Sequence, residues 1–168
     1  MERPGDGRRD DLDVAVADEV PAKLRNRLGI AVATDSHRAY RELLDSERWQ
    51  RLANEGARPQ RLLFASTGTK DPDASDTLYI DALAAPLTIN TMPDKTLLAF
   101  ADHGEVTDPL PADGGDAQSV LDEFAAAGVD VAELGERLQR EGAEAFDKSW
   151  KELLQSIDEK SRKLAATG

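Results

Sequence analysis

The residues best suited to chemistry follow a short apolar run near the middle of the chain. Arg61 to Ala65 is too short for a helix and lies between Pro59 and Gly68, which predicts a buried strand. The next residues, Ser66-Thr-Gly-Thr-Lys70, offer hydroxyl groups, a flexible backbone and one cation. A phosphate group needs several converging donors and a positive charge, and Gly68 would let backbone N–H groups approach it. The alternative interpretation is an ordinary polar turn that contains Lys70.

Several motifs along the chain have the order and spacing of a known family. They are Arg61-Leu-Leu-Phe-Ala-Ser-Thr-Gly-Thr-Lys-Asp-Pro72, Asp76-Thr-Leu-Tyr79, Ile89-Asn-Thr-Met-Pro93, Asp102-His-Gly104, Arg140-Glu-Gly142 and Phe146-Asp-Lys-Ser-Trp150. Together they resemble the C-terminal part of bacterial transaldolases, from about Val14 to the end of the chain. The resemblance implies a (β/α)8 barrel and the pentose phosphate pathway activity of that family. This activity moves a dihydroxyacetone unit between sugar phosphates through a lysine Schiff base.

The resemblance also assigns roles to residues at the end of the first strand. It places Ser66, Thr67, Gly68 and Lys70 at the phosphate end of the substrate site. In the family, the Schiff-base lysine and its acid/base carboxylates lie on earlier strands than any seen here. We therefore expect no catalytic residue in this chain, and no cofactor or metal. The family's phosphate-binding serine and arginine, just before the region matching Asp13, are replaced by a charged, glycine-containing segment.

A second strand is predicted at Leu87 to Thr91, which is rich in β-branched residues and lies between Pro86 and Pro93. In a barrel, the residues at the carboxyl ends of strands face the substrate. Asn90 and Thr91 are therefore candidates for lining the site. The alternative for both is a capped junction between a strand and a helix.

The rest of the chain has the spacing of helices. A long helix is predicted at Glu19 to Leu44, with Pro21 in its first turn and Gly29 as a candidate break. The further predicted helices span Glu47 to Asn54, Pro93 to Asp102, Asp116 to Ala127, Asp130 to Arg140 and Ala143 to Leu164. Asp76 to Ala84 is predicted to be a short helix or a turn. Glu105 to Gly115 reads as a loop. The last helix carries an apolar stripe of Phe146, Trp150, Leu153, Leu154 and Ile157. We expect this stripe to be buried against neighbouring helices or the barrel wall, and a partner-binding helix is the alternative.

Two histidines are candidates for chemistry, and neither has the neighbours that chemistry would need. His37 lies within the long helix beside Ser36 and Arg38, with no nucleophile or second ligand nearby, and is predicted to be a surface residue. His103 is predicted to be the C-terminal residue of a helix, where it would meet the negative end of the dipole.

Composition limits the class of protein. The chain has 168 residues, and its 21 basic and 33 acidic residues give a formal charge of −12, which repels nucleic acid and anionic membranes. The absence of cysteine excludes disulfides and thiolate sites. No apolar run reaches the length of a membrane span, and no signal peptide is visible, so we expect a cytoplasmic protein.

These observations predict an α/β protein that is the C-terminal part of a (β/α)8 TIM barrel with a helical tail. Residues 1–12 are predicted to be a disordered lead-in, and residues 13–168 the partial barrel. Two strands cannot close a barrel, and a complete one needs about 200 residues or more. We therefore expect a chain that is marginally folded, self-associated, or completed by a polypeptide carrying the earlier strands. The alternative function is a non-catalytic sugar-phosphate-binding or assembly subunit.

Overall fold

The computed structural model describes residues 12–106 and 108–165. Residues 1–11 of the predicted lead-in lie outside this range, and Leu12 begins the first helix. The chain divides into two compact units, with the boundary between Val129 and Asp130.

The first unit contains one small sheet and most of the helices. Its helices are α1 (Leu12–Val16), α2 (Leu28–Asp45), α3 (Glu47–Asn54), α4 (Leu78–Ala82), α5 (Asp94–His103) and α6 (Ala117–Ala126), with a single 3-10 turn at Ala22–Leu24. Its strands are β1 (Leu62–Phe64) and β2 (Thr88–Asn90), which lie within the two predicted strand segments. Both strands are short because Pro59, Pro86 and Pro93 fall close to their ends.

The two strands pair in parallel, with Leu63 opposite Ile89 and Phe64 opposite Asn90. A helix follows each strand, as in a β/α repeat. Within the described residues the sheet has two strands, so each strand keeps one edge without a strand partner. The observed class is therefore α/β with a small parallel sheet, the coarse form of the predicted fold.

One face of the sheet is covered, and the other face is exposed. Phe64 packs with Tyr79, Leu83 and Leu110 in a core cluster. Leu63 and Ile89 are register partners on the opposite face, and both are exposed. Parallel sheets are normally buried on both faces, so this face lacks the layer that such a sheet requires.

The prediction of one long helix from Glu19 was wrong at its N-terminal end. The chain makes a 3-10 turn at Ala22–Leu24, and Asn26 then adopts a left-handed conformation with φ of 60°. Asparagine is one of the few residues that tolerate this region, and it resets the chain direction before α2 begins at Leu28. Gly29 lies in the first turn of α2 and does not break it.

The second unit is dominated by one helix, α7 (Val131–Ala165). The predicted break at Gly142 was wrong, because a glycine inside a helix costs only about 1 kcal/mol relative to alanine. The Asp130 carboxylate accepts hydrogen bonds from the N–H groups of Ala132 and Glu133, at 2.9 and 3.0 Å, as predicted for a cap. The predicted packing of the apolar stripe on neighbouring helices was wrong for the described residues. Its side chains are 47–81% exposed.

Candidate functional site

The loop after β1 begins with a strained residue. Ser66 has a φ of 58°, in the left-handed region that residues other than glycine rarely occupy. Ser66 lies two residues after the end of β1 and directly precedes Thr67, which is buried. Backbone strain of this kind costs about 1–3 kcal/mol and is often found at binding sites.

Thr67 joins the loop to the end of the second strand. Its hydroxyl group donates a hydrogen bond to Oδ1 of Asn90 at 2.6 Å and lies 3.2 Å from the carbonyl oxygen of Thr91. The N–H of Thr91 in turn donates to the carbonyl oxygen of Phe64 at 3.0 Å. These contacts bring the carboxyl ends of β1 and β2 together. They also occupy the Thr67 hydroxyl and the Asn90 amide oxygen, so these atoms position the loop.

A cleft of about 280 Å³ opens beside this loop. Ser66, Thr67 and Lys70 line it together with Tyr79, and its remaining lining residues are apolar or glycine. Lys70 is exposed, and it is the one lysine among the residues that line this cleft. The cleft therefore combines an apolar wall with hydroxyl groups and one cation, a combination suited to a small anionic ligand.

The other predicted site residues do not line the cleft. Asn90 and Thr91 lie at the end of β2 and form the contacts with Thr67 described above. Gly68 lies against the start of α5, where an added Cβ would be 3.2 Å from Cγ of Pro93 and 3.5 Å from Oγ1 of Thr96. Close packing thus explains the glycine at position 68 without a ligand.

Asp13 forms a buried network beside the cleft that the sequence did not reveal. Its Oδ1 accepts a hydrogen bond from the N–H of Leu28 at 2.7 Å, and its Oδ2 accepts from the N–H of Gly29 at 3.0 Å. The hydroxyl of Tyr79 donates to Oδ2 at 2.6 Å. The carboxylate therefore caps α2 from a different helix. The first two N–H groups of α2 are thus already paired with this side chain.

His37 is buried, so its prediction as a surface residue was wrong. It lies on the side of α2 near Pro111, and neither ring nitrogen makes a hydrogen bond. Burial lowers the pKa of His37, a nearby Pro111 carbonyl opposes the shift, and the charge of Arg41 adds to it. His37 is therefore a neutral core residue and makes no part of the cleft.

His103 is the last residue of α5, as predicted, and it also binds a carboxylate. Its Nε2 lies 2.8 Å from Oδ1 of Asp76, and its Nδ1 lies 3.2 Å from Oδ2 of Asp102. Hydrogen bonding to Asp76 and then to Asp102 raises the pKa of His103, and the same contact with Asp76 lowers the pKa of that carboxyl. This exposed pair ties the end of α5 to the segment before α4.

No group of three or more His, Cys, Asp or Glu residues in residues 12–106 and 108–165 is placed to hold a metal ion. No helix in this part of the chain is long and apolar enough to cross a membrane.

Comparison with known proteins gives one consistent result. Residues 7–157 match the family model of transaldolase/fructose-6-phosphate aldolase. The chain is 48% identical over 138 residues to a transaldolase of Saccharopolyspora erythraea, which covers 82% of this chain and 38% of the relative. It is 47% identical over 144 residues to a transaldolase of Mycolicibacterium smegmatis, covering 85% of this chain and 38% of the relative. The chain thus spans well under half the length of the curated relatives it matches.

Proposed function

Because the chain belongs to the transaldolase/fructose-6-phosphate aldolase family, we propose that it supplies the phosphate-binding end of a sugar-phosphate site and the closing strands of a (β/α)8 barrel. The observation that carries this proposal is the position of Ser66 and Lys70. A strained serine at the carboxyl end of a parallel strand lines a cleft together with a lysine. In barrels of this class, substrates bind at the carboxyl ends of the strands.

We propose two roles for the predicted site residues. Ser66 and Lys70 line the cleft and would contact the phosphate, the serine as a hydrogen-bond donor and the lysine as the charge. Thr67 and Asn90 hold the loop in place through their mutual hydrogen bond, and Gly68 lets the loop pack against α5. The backbone of Thr67 and Gly68 completes the proposed cradle.

The exposed faces and edges of the sheet support the barrel half of the proposal. Leu63 and Ile89 point away from the helices, as side chains in the interior of a barrel do. Each strand also keeps one open edge within the described residues, where a further parallel strand could pair. We propose that earlier strands of the family fold cover these groups, supplied by the same polypeptide or by another. The same strands would supply the Schiff-base lysine and the acid/base carboxylates of sugar-phosphate transfer.

The Lys70→Ala variant tests the phosphate site by isothermal calorimetry with fructose 6-phosphate. Removing a charge-assisted hydrogen bond costs about 1.5–3 kcal/mol, so we expect binding to weaken by about tenfold or more. Lys95→Ala is the matched control, because it makes the same change in charge at an exposed lysine that does not line the cleft. Equal effects of the two substitutions, or no effect of Lys70→Ala, would refute the assignment.

Borohydride reduction tests whether a lysine of this chain forms the Schiff base or whether the earlier strands supply it. We expect the chain alone, incubated with fructose 6-phosphate and reduced, to show no covalent sugar adduct by intact mass. A full-length transaldolase treated in parallel should be labelled. An adduct that disappears in Lys70→Ala would mean that Lys70 forms the Schiff base, so that its role is catalytic. Binding without an adduct, both alone and with the earlier strands added, would favour the alternative of a non-catalytic sugar-phosphate binder.

A further inference from the structure

The loop after β1 is attached to neighbouring elements at both of its ends. At its start, the Thr67 hydroxyl donates a hydrogen bond to Oδ1 of Asn90 at 2.6 Å, as described above. At its other end, Nδ2 of Asn26 donates a hydrogen bond to Oδ2 of Asp71 at 2.6 Å. Lys70 directly precedes Asp71 in the sequence. The second attachment therefore reaches the residue next to the lysine that lines the cleft.

Asn26 is suited to hold the loop because the core fixes its own position. It lies between the 3-10 turn at Ala22–Leu24 and the start of α2, and Leu24 and Leu28 on either side of it are buried. Its φ of 60° is in the left-handed region, which asparagine tolerates better than most residues. A hydrogen bond from a residue on such a support restricts the position of its partner.

The same hydrogen bond fixes the direction of a negative charge. Oδ2 of Asp71 accepts from Asn26, and Oδ1 accepts from the N–H of Asp73 at 2.9 Å. Hydrogen bonding to Asn26, and then to the Asp73 N–H, lowers the pKa of Asp71, so its carboxyl is ionised near neutral pH. Asp71 is not among the described residues that line the cleft. A carboxylate released from these contacts would compete with an anionic ligand for the adjacent Lys70.

We propose that Asn26 is a positioning residue for the phosphate end of the site. Its hydrogen bond to Asp71 holds Lys70 at the cleft and keeps the neighbouring carboxylate from competing for that lysine. This role rests on the proposed function, in which Lys70 contacts the phosphate. The hydrogen bond spans 45 residues, so the turn before α2 takes part in a site otherwise built from the ends of the two strands.

Backbone order parameters from NMR relaxation test the attachment without a ligand. Asn26→Gly removes the side-chain donor and keeps the left-handed backbone, which glycine adopts at no steric cost. We expect order parameters of about 0.85 for the amides of residues 69–71 in the parent chain, and values below about 0.6 in Asn26→Gly. The order parameters of α2 should be the same in both chains, which controls for a general loss of structure.

An exchange of the two side chains is the matched control. In Asn26→Asp/Asp71→Asn, the carboxylate at position 26 accepts from the amide at position 71, so the hydrogen bond is kept with its direction reversed. The side chain at position 71 still offers an oxygen to the N–H of Asp73, and the net charge is unchanged. We expect this variant to keep the order parameters of the parent chain.

Isothermal calorimetry with fructose 6-phosphate tests the effect on the site. We expect Asn26→Gly to weaken binding by about five- to tenfold, because a released loop must be ordered when the phosphate binds. In a chain that already carries Lys70→Ala, the same change should weaken binding by less than about twofold, since the lysine that it positions is absent. The exchanged pair should bind within about twofold of the parent chain.

The outcomes separate this role from the proposed function. If Lys70→Ala weakens binding but Asn26→Gly leaves binding or the order parameters unchanged, the positioning role is overturned and the phosphate site stands. The role is also overturned if Asn26→Gly weakens binding equally with and without Lys70→Ala, because its effect then does not pass through Lys70. A parent chain that does not bind fructose 6-phosphate refutes the phosphate site, and the positioning role fails with it.

Discussion

At the scale of single residues, the site depends on side chains whose positions are fixed by a few hydrogen bonds. Thr67 is buried, and its hydroxyl is shared between Asn90 and Thr91 at the end of the neighbouring strand. Ser66 precedes it in a strained conformation, so the energy of that strain must be offset by contacts such as these. The polar ends of the two strands thus stabilise each other.

Replacing Thr67 by valine tests this link. Valine keeps the shape of threonine but removes the hydroxyl, so Oδ1 of Asn90 loses its donor. We expect the free energy of unfolding to fall by about 1–2 kcal/mol in urea titrations. Thr67→Ser keeps the hydroxyl, so its free energy of unfolding should fall less, although a methyl group is lost from a buried site. A larger loss for serine than for valine would show that packing at this position outweighs the hydrogen bond.

The pH dependence of stability depends on His37 and His103, which act in opposite directions. The folded-state pKa of His37 is lowered by burial, so the unfolded chain binds a proton more readily. Stability is therefore lost as pH falls below about 6.5, the ordinary pKa of the ring. The pKa of His103 is raised, chiefly by its hydrogen bond with Asp76. The stability that His103 contributes is therefore fully present below about 6.5 and is lost as pH rises through the raised pKa.

Thermal unfolding between pH 7 and pH 5 separates the two histidines. We expect His37→Phe to lose less stability than the parent chain over this range, because no buried ring must be protonated. His103→Gln should lose more, because the stabilising pair with Asp76 is absent at the acidic end. If His37→Phe shows the same pH dependence as the parent chain, burial does not control the titration of His37.

At the scale of elements, the organising contact is the cap that α1 provides to α2. The Asp13 carboxylate receives both N–H groups at the start of α2 and the hydroxyl of Tyr79 from α4. Three helices, of which α4 lies 66 residues from Asp13 at the contact with Tyr79, therefore meet at one buried side chain. Gly29 fits here because an added Cβ would lie 2.7 Å from Oδ2 of Asp13.

Substitutions at Asp13 and Tyr79 should differ in severity. Tyr79→Phe removes one hydrogen bond, and we expect a loss of about 1 kcal/mol in the free energy of unfolding. Asp13→Asn replaces one carboxylate oxygen with an NH2 group, and Oδ2 is the acceptor that Gly29 and Tyr79 share. We expect the free energy of unfolding to fall by about 2–3 kcal/mol. Urea unfolding measures both. A smaller loss for Asp13→Asn than for Tyr79→Phe would mean that the cap contributes little.

The sequence predicted the elements that local signals define and missed those that depend on tertiary contacts. Both strands were predicted, because prolines bound short apolar runs. The start of α3 also has a local signal, because Ser46 directly precedes the helix and its hydroxyl accepts a hydrogen bond from the N–H of Trp49 at 3.3 Å. His37 was assigned to the surface, because its burial comes from a segment more than 70 residues away. The Asp13–Tyr79 contact spans 66 residues and has no local pattern.

At the scale of the whole molecule, the two units differ in how their side chains are buried. In α2, five side chains are buried, whereas in α7 the one buried side chain is Leu134. A long helix with so little burial is marginal by itself in water, because packing supplies most helical stability. Its stability should therefore depend on what covers its apolar stripe.

Hydrogen exchange tests this dependence. We expect the amides of residues 143–165 to exchange faster than those of α2, because the buried face of α2 is covered within one chain. Equal protection of the two helices would contradict this expectation and would mean that the apolar stripe of α7 is covered.

The position of Asp13 has a practical consequence for shortening or fusing the chain. A version that starts after Asp13 would leave the first two amides of α2 and the hydroxyl of Tyr79 without their shared acceptor. A fusion joined upstream of Leu12 would keep the carboxylate and the helix that carries it. Any joint should therefore lie before Asp13, which marks the latest safe joining point at this end of the chain.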